Sequence, residues 1–170
     1  GGGRGVRKWD ACTQPGECTL FATNCCGGYC GDNPISGWIP VNQSWLGVVE
    51  GQYCSEPVAC PGCASFPTPN YLAVCRDQTC QADDIRSDLL SECTGDQECQ
   101  LRYGSTCGEL CAGFPEELTA DSTNHSLASE VCPLNGGACP PCVPPDYPPG
   151  ALAQCIYGHC QVVWATDPGG

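Results

Sequence analysis

The sequence has few basic residues, few histidines and no long apolar run. Six lysines and arginines stand against 19 aspartates and glutamates, which gives a formal charge of −13. Because binding to a phosphate backbone needs a lysine or arginine footprint, this balance argues against nucleic acid as a partner. No secretory apolar segment is present, and no stretch approaches the roughly 20 apolar residues that cross a bilayer. We therefore do not expect a transmembrane protein.

The sequence also lacks the patterns that hydrolases and phosphate-binding enzymes need. Only two histidines occur, His125 and His159. No Gly-x-Ser-x-Gly, His-Glu-x-x-His or phosphate-binding glycine loop is present. Asp83, Asp84 and Asp88 are clustered, but no Asp-x-Asp-x-Asn-Gly calcium loop accompanies them. We predict a protein that is not an enzyme and holds no cofactor or metal.

Cysteine, in contrast, is abundant. The chain has 19 cysteines in 170 residues, above the roughly 8–10% that marks a disulfide scaffold. Structural disulfides persist in oxidising compartments and are rare in the cytosol. We therefore expect a secreted, extracellular or cell-surface protein, with the bacterial periplasm as a further compartment of the same kind.

The cysteine pattern occurs twice, at an offset of 78 to 81 residues. Leu72-Ala73 before Cys75 recurs as Leu152-Ala153 before Cys155. This repetition predicts a tandem duplication, with an N-terminal arm (residues 1–10), unit 1 (residues 11–85) and unit 2 (residues 86–170). The aligned cysteines, which we predict to form disulfides, are Cys12, Cys18, Cys26, Cys30, Cys54, Cys60, Cys63, Cys75 and Cys80 in unit 1 and Cys93, Cys99, Cys107, Cys111, Cys132, Cys139, Cys142, Cys155 and Cys160 in unit 2.

Each unit is predicted to be a small disulfide-rich α+β fold, with a short antiparallel sheet, one helix and long proline-rich loops. Apolar spacing favours a short amphipathic helix before Cys54 and another before Cys132. The turn-rich segments inside Cys-x4-Cys favour hairpins. The predicted strands are 17–23 and 98–103, the helices 42–53 and 122–131, the hairpins 71–82 and 152–164, and the proline-rich loops 57–69 and 133–149.

Four elements of the pattern carry a resemblance to a known group of proteins. They are Cys-Thr-x4-Cys-x-Leu, Cys-x3-Cys, Ala-Cys-Pro-x-Cys and Leu-Ala-x-Cys-x4-Cys-Gln, between Cys12 and Gln161. The chain resembles cysteine-rich secreted or lipoprotein-type repeat proteins of myxobacteria, a group without an assigned activity. The resemblance implies an extracellular location and no particular mechanism.

Cys25 has no counterpart in this alignment, because TNCCGGYC in unit 1 matches STCGELC in unit 2. We therefore treat Cys25 as the odd cysteine. Either each unit closes four bridges, the one remaining cysteine of each unit pairs with the other and Cys25 is left over, or Cys25 completes five bridges in unit 1 and unit 2 keeps an odd thiol. An isolated chain with an odd number of cysteines has a free thiol or an intermolecular bond.

Two CxxC elements allow other interpretations. Cys60-Pro61-Gly62-Cys63 and Cys139-Pro140-Pro141-Cys142 each precede a Cys-x4-Cys pair. Four such thiolates suit zinc or iron, and a CxxC can be a redox dithiol. The many further cysteines in each unit favour disulfides instead.

The remaining candidates lie on the surface. Asn42 and Asn124 begin N-glycosylation sequons. Trp9, Trp38, Trp45 and Trp164 suit either small cores or a carbohydrate- or protein-binding surface. Half of the positive charge lies near the N-terminus, and the predicted assembly arm consists of Arg4, Arg7, Lys8 and Trp9.

These observations favour a non-enzymatic, extracellular structural or adhesive protein that associates with itself as an oligomer or filament subunit. Other cell-surface proteins or glycans are further candidate partners. The alternatives are a secreted binding module, such as a protease inhibitor presenting the loop 61–69, and a thiolate metal-binding protein.

Overall fold

The computed structural model describes residues 8–27, 35–60, 69–104, 107, 118–134 and 147–165. In these residues the chain is a small disulfide-rich α+β fold, made mostly of short strands. The elements are β1 (Cys18–Ala22), β2 (Trp38–Asn42), α1 (Leu46–Tyr53), β3 (Tyr71–Arg76), β4 (Thr79–Asp84), β5 (Cys99–Tyr103), β6 (Leu118–Ser122), α2 (Leu127–Val131), β7 (Ala151–Ile156) and β8 (His159–Trp164). None of the helices described here is long and apolar enough to cross a bilayer.

The strands form four antiparallel pairs: β1–β2, β3–β4, β5–β6 and β7–β8. The strands predicted at 17–23 and 98–103 and both predicted hairpins are confirmed. The two tight hairpins have the same register, since Cys75 lies opposite Cys80 and Cys155 lies opposite Cys160.

Both hairpins turn through residues with positive φ. Asp77 and Gln78 have φ of 52° and 60°, and Tyr157 and Gly158 have φ of 51° and 81°. Positive φ at both central residues is the signature of a type I′ turn, whose twist matches that of the flanking strands. The left-handed region is strained for a residue with a side chain, so Gln78 occupies a position better suited to glycine.

The predicted order in each unit, one strand, then the helix, then the hairpin, is wrong, because a second strand precedes each helix. Strand β2 contains Pro40, which weakens a strand pattern, and β6 has the polar sequence LTADS, although all five residues are buried. The helices are also shorter than predicted. Helix α1 is not amphipathic, since Val49 is its only buried residue; α2 buries Leu127 and Val131.

Two disulfides connect each tight hairpin to the chain before it, one to the strand beside it and one to the segment that precedes that strand. For β3–β4 they are Cys18–Cys80 and Cys12–Cys75. For β7–β8 they are Cys99–Cys160 and Cys93–Cys155. Also present in the described residues are Cys25–Cys54, Cys26–Cys60 and Cys107–Cys132. Most of each predicted proline-rich loop lies outside the described residues.

The largest buried cluster joins residues of both predicted units. Leu72 and Val74 of β3 pack with Ile85 and Leu90 of the connecting segment, and α2 contributes Leu127 and Val131. Burying such side chains contributes roughly 1.5–3 kcal/mol each. The two predicted units are therefore joined by apolar packing as well as by the continuous polypeptide chain.

Candidate functional site

Cys25 is bonded to Cys54 within the chain. Because Cys107 is bonded to Cys132, the counterpart of Cys54, the pairing aligns Cys25, and not Cys26, with Cys107. Under the predicted duplication, Cys26, which is bonded to Cys60, would then be the additional cysteine in place of Cys25. The bond from Cys25 to Cys54 agrees with the alternative in which Cys25 is bonded within unit 1. Sequence spacing could not distinguish two adjacent cysteines, whereas the pairing does.

In the first CxxC element, the Cys60 sulfur is not free for redox or metal chemistry in this state. Cys60 is bonded to Cys26, outside its own CxxC. Cys75 and Cys80, the other proposed ligands, are each in a separate disulfide. The thiolate is the form that binds metal and acts as nucleophile. Cys63 and the second CxxC, Cys139 to Cys142, lie outside the described residues, as do Cys30 and Cys111.

Two groups of sulfur atoms nevertheless lie close enough to share an ion. The Sγ atoms of Cys12, Cys18 and Cys80 all lie within 4.8 Å of one another, as do those of Cys93, Cys99 and Cys160. Each group lies where two disulfides meet. Since all six sulfurs are in disulfides, metal binding at either group requires reduction first.

The acidic cluster of the sequence is held by arginines. Arg76 Nη1 lies 2.7 Å from Asp83 Oδ2 and 2.8 Å from Asp88 Oδ2, and Arg86 Nη2 lies 2.7 Å from Asp84 Oδ2. Arg76 Nε also lies 3.6 Å from Glu130 Oε2 of α2. These contacts explain the three aspartates as ion-pair partners, and Arg76 connects β3 to α2.

The two aspartates beside Arg76 have pKa values shifted in opposite directions. Burial raises the pKa of Asp88, but the hydrogen bonds from Arg76 and the Leu90 N–H outweigh burial and leave it below the usual value. Burial also raises the pKa of Asp83, and there the attraction of Arg76 does not compensate. The folded protein therefore favours the charged form of Asp88 and disfavours the charged form of Asp83.

A surface cavity of about 380 Å³ lies between the start of unit 1 and the β3–β4 turn, lined in part by Glu17, Asn42 and Asp77. Two of its polar side chains already make local bonds. The Thr13 N–H and Oγ donate to Glu17, which lowers the pKa of Glu17. Asn42 Nδ2 donates to the Ala11 carbonyl oxygen at 2.9 Å.

His159 lies 2.9 Å, at Nδ1, from the Ser91 hydroxyl. Ser91 is fully buried, and its hydroxyl donates to the Asp88 carbonyl at 3.0 Å. A nucleophilic serine must reach substrate, so this pair joins β8 to the connecting segment and is not arranged for catalysis. His125 is exposed, in the segment before α2.

The predicted surface residues are only partly within the described chain. Asn124 is exposed, and Asn42 caps the turn before α1, accepting from the Ser44 N–H. Arg4 and Arg7 of the predicted arm lie outside the described residues. Lys8 and Trp9 form a 3₁₀ turn, and Lys8 Nζ lies 5.0 Å from the ring centre of Trp45. The described end of the arm is therefore next to α1.

The β7–β8 hairpin exposes a leucine whose counterpart on the β3–β4 hairpin is buried. Leu72 on β3 is 2% exposed, because α2 and the connecting segment cover it. Leu152, at the same register position of β7, is 46% exposed. Ile156 lies on the same side of β7 as Leu152, and Val163 lies opposite Leu152 on β8. We call these three residues the unit 2 hairpin face.

Sequence analysis missed this face, although the aligned Leu72 and Leu152 are identical. The signal was a change between the units, since Arg76 and Asp83 of unit 1 become Ile156 and Val163 in unit 2.

No known protein family, curated protein or solved structure matches the chain. The resemblance to myxobacterial proteins stays a prediction.

Proposed function

We propose that this chain is a non-enzymatic, extracellular structural or adhesive protein, built from two copies of one disulfide-rich unit, that associates with itself. Disulfides in this number are typical of extracellular or periplasmic proteins. The function would depend on a stable, repeated surface and not on a reactive group.

The shared geometry of the two units supports duplication. The Cys12–Cys75 bridge corresponds to Cys93–Cys155. The Cys12 N–H donates to the Gln78 carbonyl, and the Cys93 N–H donates to the Gly158 carbonyl. Independent origins would not be expected to give the same pairing, the same hairpin register and the same backbone bonds.

The unit 2 hairpin face is the observation that carries the proposal for self-association. Leu72 of unit 1 is 2% exposed, whereas Leu152 at the same position of unit 2 is 46% exposed, with the half-buried Ile156 and Val163 on the same side of the hairpin. Within the chain, the matching Leu72 is covered by α2 and the connecting segment.

Electron microscopy of the native, unreduced protein tests this function. We expect extended or multi-subunit particles at high protein concentration. Small discrete particles at every concentration, together with inhibition of a protease, would instead favour the secreted binding module.

A further inference from the structure

Two disulfides lie close to each other beside each tight hairpin. In unit 1 they are Cys12–Cys75 and Cys18–Cys80. The Sγ atoms of Cys12, Cys18 and Cys80 all lie within 4.8 Å of one another, whereas the Sγ atom of Cys75 is not part of this group. Cys12 is therefore the half of its own bridge that lies near both sulfurs of the other bridge.

Backbone contacts hold Cys12 at the hairpin independently of its disulfide. The Cys12 N–H donates to the Gln78 carbonyl oxygen at 3.1 Å, and Ala11 forms a β-bridge with Thr79. Opening the disulfide of Cys12 would therefore leave its sulfur beside the second bridge. The side chain would then be free to rotate among its χ1 rotamers.

The segment between the two cysteines is held in the same way in both units. The Thr13 N–H donates to Glu17 Oε2 at 2.7 Å, and the Thr94 N–H makes the same bond to Glu98. Neither bond involves a sulfur atom. We therefore expect this segment to keep its shape when one of its cysteines is released.

The two ends of the Cys12–Cys75 bridge differ in exposure. Cys12 is 3% exposed, whereas Cys75 is half-buried on β3. A thiol from solvent therefore reaches Cys75 more readily than Cys12. Its attack on the Cys75 sulfur forms a mixed disulfide there and releases Cys12 as a thiolate, which is the nucleophilic form of cysteine.

We propose that the two bridges form an exchange pair, in which the Cys12 thiolate, once a small monothiol has released it, attacks the Cys18–Cys80 bridge. The Cys18–Cys80 bond breaks, Cys12 bonds to one of the two sulfurs, and the other sulfur leaves as a thiolate. One S–S bond forms as one breaks, so this step involves no net oxidation or reduction. The opening of one bridge is in this way transmitted to the other.

The sulfur that Cys12 attacks decides what happens to the β3–β4 hairpin. Attack at Cys18 closes a short loop and frees Cys80, so that a single external thiol releases both bridges that hold the hairpin. Attack at Cys80 frees Cys18 and keeps the hairpin tied to the chain before it. In both cases the exchange makes the hairpin responsive to a thiol that reaches only one bridge.

Unit 2 repeats this arrangement. The Sγ atoms of Cys93, Cys99 and Cys160 lie within 4.8 Å of one another, and the Cys93 N–H donates to the Gly158 carbonyl oxygen at 2.9 Å. The sulfur group and its backbone anchor thus occur together in both units, which argues against a chance approach of two bridges.

Two substitutions that remove the same bridge test the exchange. Cys75→Ser leaves the Cys12 thiol inside the sulfur group, and Cys12→Ser leaves the Cys75 thiol outside it. Both variants lose one bridge and gain one thiol, so each is the control for the other, and the odd cysteine of the chain gives the same background in both. The proteins are made under oxidising conditions, quenched with acid, alkylated without reduction and mapped by mass spectrometry.

In Cys75→Ser we expect the label to shift from Cys12 to Cys18 or Cys80, together with a new bridge between Cys12 and the other of the two. In Cys12→Ser we expect the label on Cys75 and an intact Cys18–Cys80 bridge. A label on Cys12 alone in the first variant, or the same exchange in both variants, would overturn the proposal.

The parent chain gives a measurement that does not depend on how the variants fold. Brief treatment with glutathione, followed by the same trapping, should give an adduct on Cys75 and a label on Cys18 or Cys80. An adduct on Cys75 with the label on Cys12 and an intact Cys18–Cys80 bridge would overturn the exchange. A chain that forms no adduct on Cys75 would overturn the first step and the proposal with it.

Discussion

Gly16 lies directly against Pro133, and a Cβ added to Gly16 would be 2.5 Å from the Pro133 nitrogen. The φ of Gly16 is +86°, a conformation that residues with a side chain rarely adopt. Gly16→Ala should therefore lower the free energy of unfolding by about 1–3 kcal/mol, as overpacking does. Urea denaturation with intact disulfides measures this change.

Gly51→Ala is the matched control for Gly16→Ala. Gly51 lies in α1, and a Cβ there meets no atom within 4 Å. An alanine in a helix interior should stabilise by roughly 0.5–1 kcal/mol. Equal destabilisation by both variants would contradict the close contact between the units.

The two hairpin turns predict a reciprocal pair of substitutions. Gln78 has φ of 60° where unit 2 has Gly158, and the left-handed conformation costs a residue with a side chain roughly 1–2 kcal/mol. Gln78→Gly should raise the melting temperature, and Gly158→Gln should lower it. A Cβ at Gly158 meets nothing within 4 Å, so backbone strain alone should cause the decrease. A shift of both variants in the same direction would refute the type I′ assignment.

The ion pairs at Arg76 predict opposite effects of pH on two variants. The pKa of Asp88 is lowered in the folded chain, so Asp88 contributes stability above the ordinary aspartate pKa of 3.8, and this contribution is lost as pH falls through the lower folded value. Asp88→Asn should therefore reduce the loss of stability on acidification.

Asp83 has a raised pKa, so its contribution has the opposite sign. Its effect on stability is most favourable below pH 3.8 and is lost as pH rises through the higher folded value. Asp83→Asn should make the loss on acidification steeper. Denaturation of both variants between acidic and neutral pH measures the two slopes; the same change of slope in both would contradict the assignment.

The disulfides also predict which thiol is left over. Fourteen of the 19 cysteines form the seven bridges of the described residues, which leaves an odd number. Cys60 is bonded to Cys26, and in unit 2 the position of Cys26 is Gly108. We therefore expect Cys139, the counterpart of Cys60, to lack a partner in its own chain.

Alkylation of the unreduced protein, followed by peptide mapping, identifies this thiol. A label on Cys139, or an intermolecular bridge through it, is the expected result. A label on Cys25 or Cys26 would contradict the pairing.

The cysteine spacing predicted the two tight hairpins, because a turn between Leu-Ala-x-Cys and Cys-Gln requires only local sequence. It could not predict the disulfide partners, since pairing depends on which strands meet in space. Strand β6 was missed because Thr119, Asp121 and Ser122 are polar yet buried by tertiary contacts. The hairpin face was missed for a related reason: Leu72 and Leu152 are the same residue, and only packing distinguishes a covered leucine from an exposed one.

Sedimentation equilibrium of the unreduced parent chain, over a wide range of protein and salt concentrations, tests the central claim most directly. The account predicts an average mass that rises continuously with protein concentration and rises further with added salt. A single species of monomer mass, or of disulfide-dimer mass, at every concentration would contradict it.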